Sequence, residues 1–112
     1  MADTESDLLR SSLDLLILKA LTWGPMHGYG ISEWIEGATQ SVLLLEEGTL
    51  YPALYRLERQ GLIKSEWKVT SNNRRARYYS LTKEGRRYFA DELAQWRRLS
   101  RAINLILDAT EA

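Results

Sequence analysis

The sequence predicts a mainly helical α+β fold: three short helices, a small β-hairpin and one long C-terminal helix. Three observations carry this expectation. Apolar residues recur at helical spacing through residues 12–22, 28–37 and 48–60. The period then drops to two across residues 63–81, and from Lys83 to about Ala109 it is helical again. A chain of 112 residues allows one small domain with an appended helix. The expected organisation is a flexible acidic arm over 1–11, a folded unit over 12–82, a C-terminal helix over 83–109 and a tail over 110–112.

The first helix is expected from Ser12 to Thr22, with Ser11 and Asp14 at capping-box spacing. Leu13, Leu15, Leu16, Ile17, Leu18 and Leu21 are apolar nearly all round, which requires burial on several sides. Trp23-Gly24-Pro25 ends it. The second helix should run from Gly28 to Gly37, with Tyr29, Ile31, Trp34 and Ile35 as packing residues. Gly28 and Gly30 suggest a close backbone approach. A phosphate-gripping glycine loop is the alternative, but no strand precedes these glycines and no Gly-Lys-Ser/Thr follows. His27, the one histidine, reads as a turn or packing residue rather than a catalyst or ligand.

The third helix carries the most information. In Gly48–Ile63, GTLYPALYRLERQGLI, Leu50, Leu54 and Leu57 share one face, and Gly61 supplies a left-handed stop. Pro52 is expected in the first turn, where its missing N–H costs nothing. The other face shows Gly48, Pro52, Tyr55, Arg56 and Arg59, flanked by Thr49 and Tyr51. Arginine can pair with guanine edges or phosphates, and Tyr and Thr hydroxyls can bond phosphates. A solvated face on an ordinary amphipathic helix fits the same pattern.

In the hairpin, Ile63, Ser65, Trp67 and Val69 alternate with polar neighbours, which predicts a half-buried strand. Thr70-Ser71-Asn72-Asn73 is turn chemistry, and Arg77, Tyr79 and Leu81 mark the returning strand. Its tip would carry Arg74, Arg75 and Arg77. Net charge is zero, yet residues 64–87 hold eight basic side chains and two acids, net +6 against −6 elsewhere. Local charge, not the total, drives attraction to a phosphate backbone.

In the last helix Thr82 is the expected N-cap. Phe89, Leu93, Trp96, Ser100, Ile103 and Leu107 step by four and three, a heptad-like seam that Leu99 and Ile106 widen. Such a helix runs roughly 40 Å. A second copy of the chain would cover the seam economically; the alternative, a helix folded back on its own core, leaves the far half exposed.

The chain has no cysteine, which excludes disulfides and thiolate metal sites. No metal and no cofactor is expected. One histidine and scattered carboxylates offer no nucleophile–base pair, so an enzyme is not expected. No apolar run approaches the ~20 residues that cross a bilayer, and the acidic start is unlike a secretory signal, so a cytoplasmic location is expected.

Three helices, a hairpin and arginines at its tip make a winged helix-turn-helix with a C-terminal dimerisation helix. Three segments in order resemble the PadR family of bacterial transcriptional regulators. These are Leu15–Leu18 with Gly24–Ile31; Gly48–Glu58 with Gly61-Leu62-Ile63; and Tyr78–Thr82 followed by Gly85. The resemblance covers residues 12–107 and is similar to the family's shorter subgroup. It implies a homodimeric regulator, a repressor in the common case, binding a palindromic double-stranded operator. Thr49, Tyr51, Pro52, Tyr55 and Arg56 would lie at or near the major groove, and Arg74, Arg75 and Arg77 would reach phosphates or the minor groove. A small lipophilic or aromatic effector is also implied, with Phe89 and Trp96 as candidate pocket residues and Trp23 or Trp34 nearby. The wing departs from the family pattern: Asn72-Asn73-Arg74-Arg75-Ala76 stands where many members have glycine or proline. A winged-helix protein–protein interaction module without a DNA site is the alternative, and such a module needs no basic tip.

Overall fold

A computed structural model of the chain describes the backbone of residues 4–112 and the side chains of residues 12–112. The elements are α1 (Thr4–Leu21), β1 (Met26–His27), α2 (Gly28–Ala38), α3 (Glu47–Arg59), β2 (Ile63–Val69), β3 (Arg75–Leu81) and α4 (Lys83–Leu107). This is the expected α+β winged helix-turn-helix, with two differences at the level of elements. Helix α1 starts at Thr4 rather than Ser12, so Ser11 lies inside the helix and does not cap it. Of the segment expected as a flexible arm, residues 4–11 are therefore helical in backbone, and residues 1–3 lie outside the described residues. The sheet has three strands in the order β1-β3-β2, where two were expected.

The core lies where α1, α2 and α3 meet the base of the hairpin. Leu13, Ile17, Leu18 and Leu21 of α1, Ile31 and Ile35 of α2, and Leu50, Leu54 and Leu57 of α3 are all buried. Ile63, Tyr79 and Leu81 close it from below. Each large aliphatic side chain contributes about 1.5–3 kcal/mol through removal from water. Tyr29, expected to pack, is instead 69% exposed at the start of α2. Trp34 is partly buried against the core.

β2 and β3 pair antiparallel from Ile63↔Leu81 to Val69↔Arg75. The alternation expected for β2 is present, but burial along it stops at Ser65. Trp67 and Val69 are exposed because the hairpin extends past the edge of the helices. At its tip the Asn73 N–H donates to the Thr70 carbonyl (2.9 Å), and Asn73 takes a left-handed φ of 59°. Asparagine tolerates that conformation better than most residues, so the wing turns without glycine.

One junction ties α3, the hairpin and α4 together. Gly61, at φ 75°, lets the chain reverse after α3, with its N–H donating to the Glu58 carbonyl and that of Leu62 to the Leu57 carbonyl, both at 3.0 Å. These two bonds form a Schellman motif. The Thr82 hydroxyl donates to the Gly61 carbonyl (2.7 Å) and accepts from the Gly85 N–H (2.9 Å), so it caps α4 while holding the end of α3. The Thr82 N–H donates to the Leu62 carbonyl at 3.1 Å. A side chain at residue 85 would place its Cβ 1.9 Å from that same carbonyl oxygen.

Pro52 lies in the second turn of α3, not the first, because the helix begins at Glu47. It cannot donate to the Gly48 carbonyl, so one i→i−4 bond is missing on the exposed side of the helix. Leu50 and Leu54 on the buried side keep the helix in place.

Gly85→Ala should force α4 off the Leu62 backbone. The expected cost is at least about 2 kcal/mol, the upper part of the range for overpacked sites. Denaturant unfolding by circular dichroism would measure it.

Candidate nucleic-acid interface

Leu50, Ala53, Leu54 and Leu57 bury one side of α3 completely, which fixes what the other side presents. Gly48, Thr49, Tyr51, Pro52, Tyr55 and Arg59 are exposed along one ridge. The Arg59 guanidinium lies over the Tyr55 ring, 5.7 Å from its centroid. That contact holds two rotamer-rich side chains in one direction at modest cost. Tyr51 leans toward α2: a Cβ at residue 28 would sit 2.7 Å from the Tyr51 hydroxyl oxygen, so Gly28 makes room for the phenol. This is the close approach for which a small residue at the start of α2 is required.

His27 caps α2. Its Nδ1 accepts the Gly30 N–H at 2.9 Å, which puts its ring proton on Nε2. The imidazole meets Tyr78 edge-on at 5.3 Å and stacks near Tyr29 at 6.4 Å. The short β1 pairing, Met26↔Tyr79 and His27↔Tyr78, brings this cap against the hairpin. The start of α2 and the wing thus flank a cleft of about 710 Å³ that includes Tyr51, Trp67, Arg74, Arg75 and Arg77.

The five arginines that the sequence assigns to or near the DNA face fall into two groups. Arg59, Arg74 and Arg75 are exposed and have no carboxylate partner among the described residues. Arg75 lies over the Trp67 ring at 5.2 Å, which props its guanidinium off the wing surface. Arg56 is different. Rather than standing on the outer face it turns toward α1 and makes a close ion pair with Asp14. Arg77 is not at the wing tip either. It folds back to α3, donating from Nε to the Ser65 hydroxyl (2.7 Å) and from Nη2 to Glu58 (3.3 Å). Burial pushes the Tyr79 phenol beside it above its ordinary range; Arg77 opposes that shift and Glu58 adds to it. Periodicity gave no sign of either ion pair, since the partners are 42 and 19 residues apart.

Along α4 the seam divides. Phe89 and Leu93 are partly buried against their own domain, and Ser100 is half-buried. Trp96, Leu99, Ile103, Ile106 and Leu107 are exposed by 47–76%. A groove of about 720 Å³ runs between α1 and α4, with Leu15, Trp96, Leu99 and Ile103 as its apolar lining and Asp14 and Glu92 as its carboxylates. Of the two expected pocket residues only Trp96 lines this groove, because Phe89 packs on the core. Trp23 and Trp34 do not line it; they pair with each other at 6.4 Å. No helix among the described residues is long and apolar enough to cross a membrane.

Known proteins share this geometry. Residues 17–91 match the Transcriptional regulator PadR-like family. The chain is similar to a transcriptional regulator from Clostridium thermocellum, with 36% identity and a TM-score of 0.80 over 88% of this chain and 95% of that one. It is also similar to a PadR family transcriptional regulator from Eggerthella lenta, with 33% identity and a TM-score of 0.79 over 93% and 88% of the two chains. Uncharacterized protein X of Lysinibacillus sphaericus is 29% identical over 95% of this chain and 97% of its own length.

The Asp14–Arg56 pair, with side chains 22% and 28% exposed, should couple α1 to α3 by about 1–2 kcal/mol, between surface and buried pairs. A double-mutant cycle with Asp14→Asn and Arg56→Gln, read by urea denaturation, would measure that coupling.

Proposed function

Because the chain belongs to the PadR-like family of DNA-binding transcriptional regulators, we propose that it represses transcription as a cytoplasmic homodimer on a palindromic operator. Helix α3 enters the major groove, presenting Thr49, Tyr51, Pro52, Tyr55 and Arg59, and the wing lays Arg74 and Arg75 along the flanking backbone. Arg56 braces the reading helix against Asp14 of α1, and Arg77 acts from the crease between α3 and the wing. The observation that carries this reading is the ridge on α3. Its polar and aromatic side chains stand exposed on a helix whose opposite side is sealed into the core, beside a wing whose tip arginines lack carboxylate partners among the described residues.

A dimer covers the exposed outer half of α4. Trp96, Leu99, Ile103, Ile106 and Leu107 form an apolar strip on a 25-residue helix, and leaving such a strip in water is unfavourable. Packing two copies about a two-fold axis presents two reading helices to major-groove segments about 34 Å apart. The groove between α1 and α4 is the proposed seat of a small lipophilic or aromatic effector, with Trp96 as its stacking surface. Its carboxylate Asp14 is the partner of Arg56 on the reading helix, so an occupant touches a residue that positions α3.

Selection of bound sequences from random duplex DNA tests the reading as a whole; an enriched palindrome is the expected outcome. On that operator, Tyr55→Ala should weaken binding about tenfold or more with melting temperature unchanged. The Arg74→Ala/Arg75→Ala variant should flatten the dependence of log affinity on log salt by roughly 1 per arginine per protomer. Ile103→Asp should shift the chain toward monomer in sedimentation equilibrium.

A further inference from the structure

The geometry points to Glu58 as the residue that positions the wing for operator discrimination, an inference that rests on the DNA-binding reading above. Glu58 stands in an unfavourable place by two criteria. It lies in the last turn of α3, where the helix dipole disfavours negative charge. It also lies one position before Arg59 on a surface proposed to meet phosphates, which repel a carboxylate.

What holds Glu58 there is a closed set of hydrogen bonds across three elements. The Ser65 hydroxyl of β2 donates to Glu58 Oε2 at 2.7 Å. Arg77 of β3 donates from Nε to the Ser65 oxygen at 2.7 Å, and from Nη2 to both Glu58 oxygens at 3.3 Å. A hydroxyl that donates to a carboxylate and accepts from a guanidinium matches both partners, so each polar group finds its complement. Arg77 is left 45% exposed along its side chain, with Nη1 lacking an acceptor among the described residues. It lines the clefts on both sides of Tyr51.

The position of this clamp gives it leverage. Beyond Ser65 the hairpin has lost its cover, since Trp67 and Val69 are exposed. Ser65 is therefore the last β2 residue tied to α3, and the four residues from it to Val69 extend roughly 13 Å at about 3.3 Å each. A rotation of about 10° at the clamp moves the wing tip by about 2 Å, enough to break a hydrogen bond to DNA. Glu58 sets that angle and directs the outer edge of Arg77 toward the groove.

The test exploits opposite signs. Simple electrostatics makes removal of an acid strengthen binding to any duplex. Positioning makes Glu58→Gln weaken operator binding about tenfold while binding to unrelated duplex DNA stays constant or tightens. Wild-type protein first defines the operator by selection from random duplexes; if it enriches no sequence, the DNA-binding reading itself fails. If an operator is found and Glu58→Gln binds it as tightly as wild type or more so, the positioning role is overturned. Ser65→Ala, which keeps every charge, should lower the operator-to-unrelated ratio in the same direction. Should Glu58→Gln fail to fold, Ser65→Ala decides alone, and an unchanged ratio overturns the inference. Loss of folded protein lowers binding to both DNAs together and leaves the ratio intact, which separates positioning from stability.

Discussion

Everything in this molecule is arranged around the contact between the Leu62 carbonyl and the first turn of α4. Two backbones touch there with nothing between them, because Gly85 has no side chain and Thr82 bonds the Gly61–Leu62 turn from the other side. The end of α3, the base of both hairpin strands and the start of the long helix leave from this one point. Their relative directions are set by hydrogen bonds among backbone groups and one short hydroxyl side chain, so little rotamer freedom is lost in making them. A side-chain interface of the same size would be softer.

From that junction the structure is braced outward by progressively more exposed contacts. The aliphatic core fixes one side of α3. The Asp14–Arg56 pair holds α3 against α1, and the Glu58–Ser65–Arg77 set holds it against the wing. Between these two braces runs the ridge of Tyr51, Tyr55 and Arg59. Helix α3 is thus fixed in roll as well as in position. A helix anchored by apolar contacts alone would keep some freedom to rotate about its axis.

The helices were legible in the sequence because leucine spacing reports burial directly. Leu50, Leu54 and Leu57 point where the 3.6 period puts them, and Thr82 caps α4 as expected. Strand β1 was not legible: two residues carry no period, and Met26–His27 become a strand only by pairing with β3. The start of α1 was misplaced because a serine before an apolar run marks a cap only if the chain upstream is not helical. Periodicity, helical for Arg56 and alternating for Arg77, assigns faces by Cα direction, but both side chains are long enough to leave the face from which they start. Their partners come from elsewhere in the chain, so which arginines keep no acidic partner among the described residues is a property of the tertiary structure. The PadR-like motif, by contrast, was visible because Gly28 makes room for the Tyr51 phenol, Gly61 adopts a positive φ and Gly85 lies against the Leu62 backbone, places that few other residues can fill.

The cationic stretch formed by the hairpin and the start of α4 also has a kinetic consequence. A molecule of zero total charge with a local excess of +6 in residues 64–87 behaves as an electric dipole rather than a monopole. Near a polyanion a dipole feels torque before it feels much net pull, so the molecule turns its positive lobe forward during diffusion. That alignment acts within about 10 Å at 0.1 M salt, the screening distance. Added electrolyte therefore slows productive encounters by randomising approach angles, even though the polypeptide as a whole carries no charge to screen.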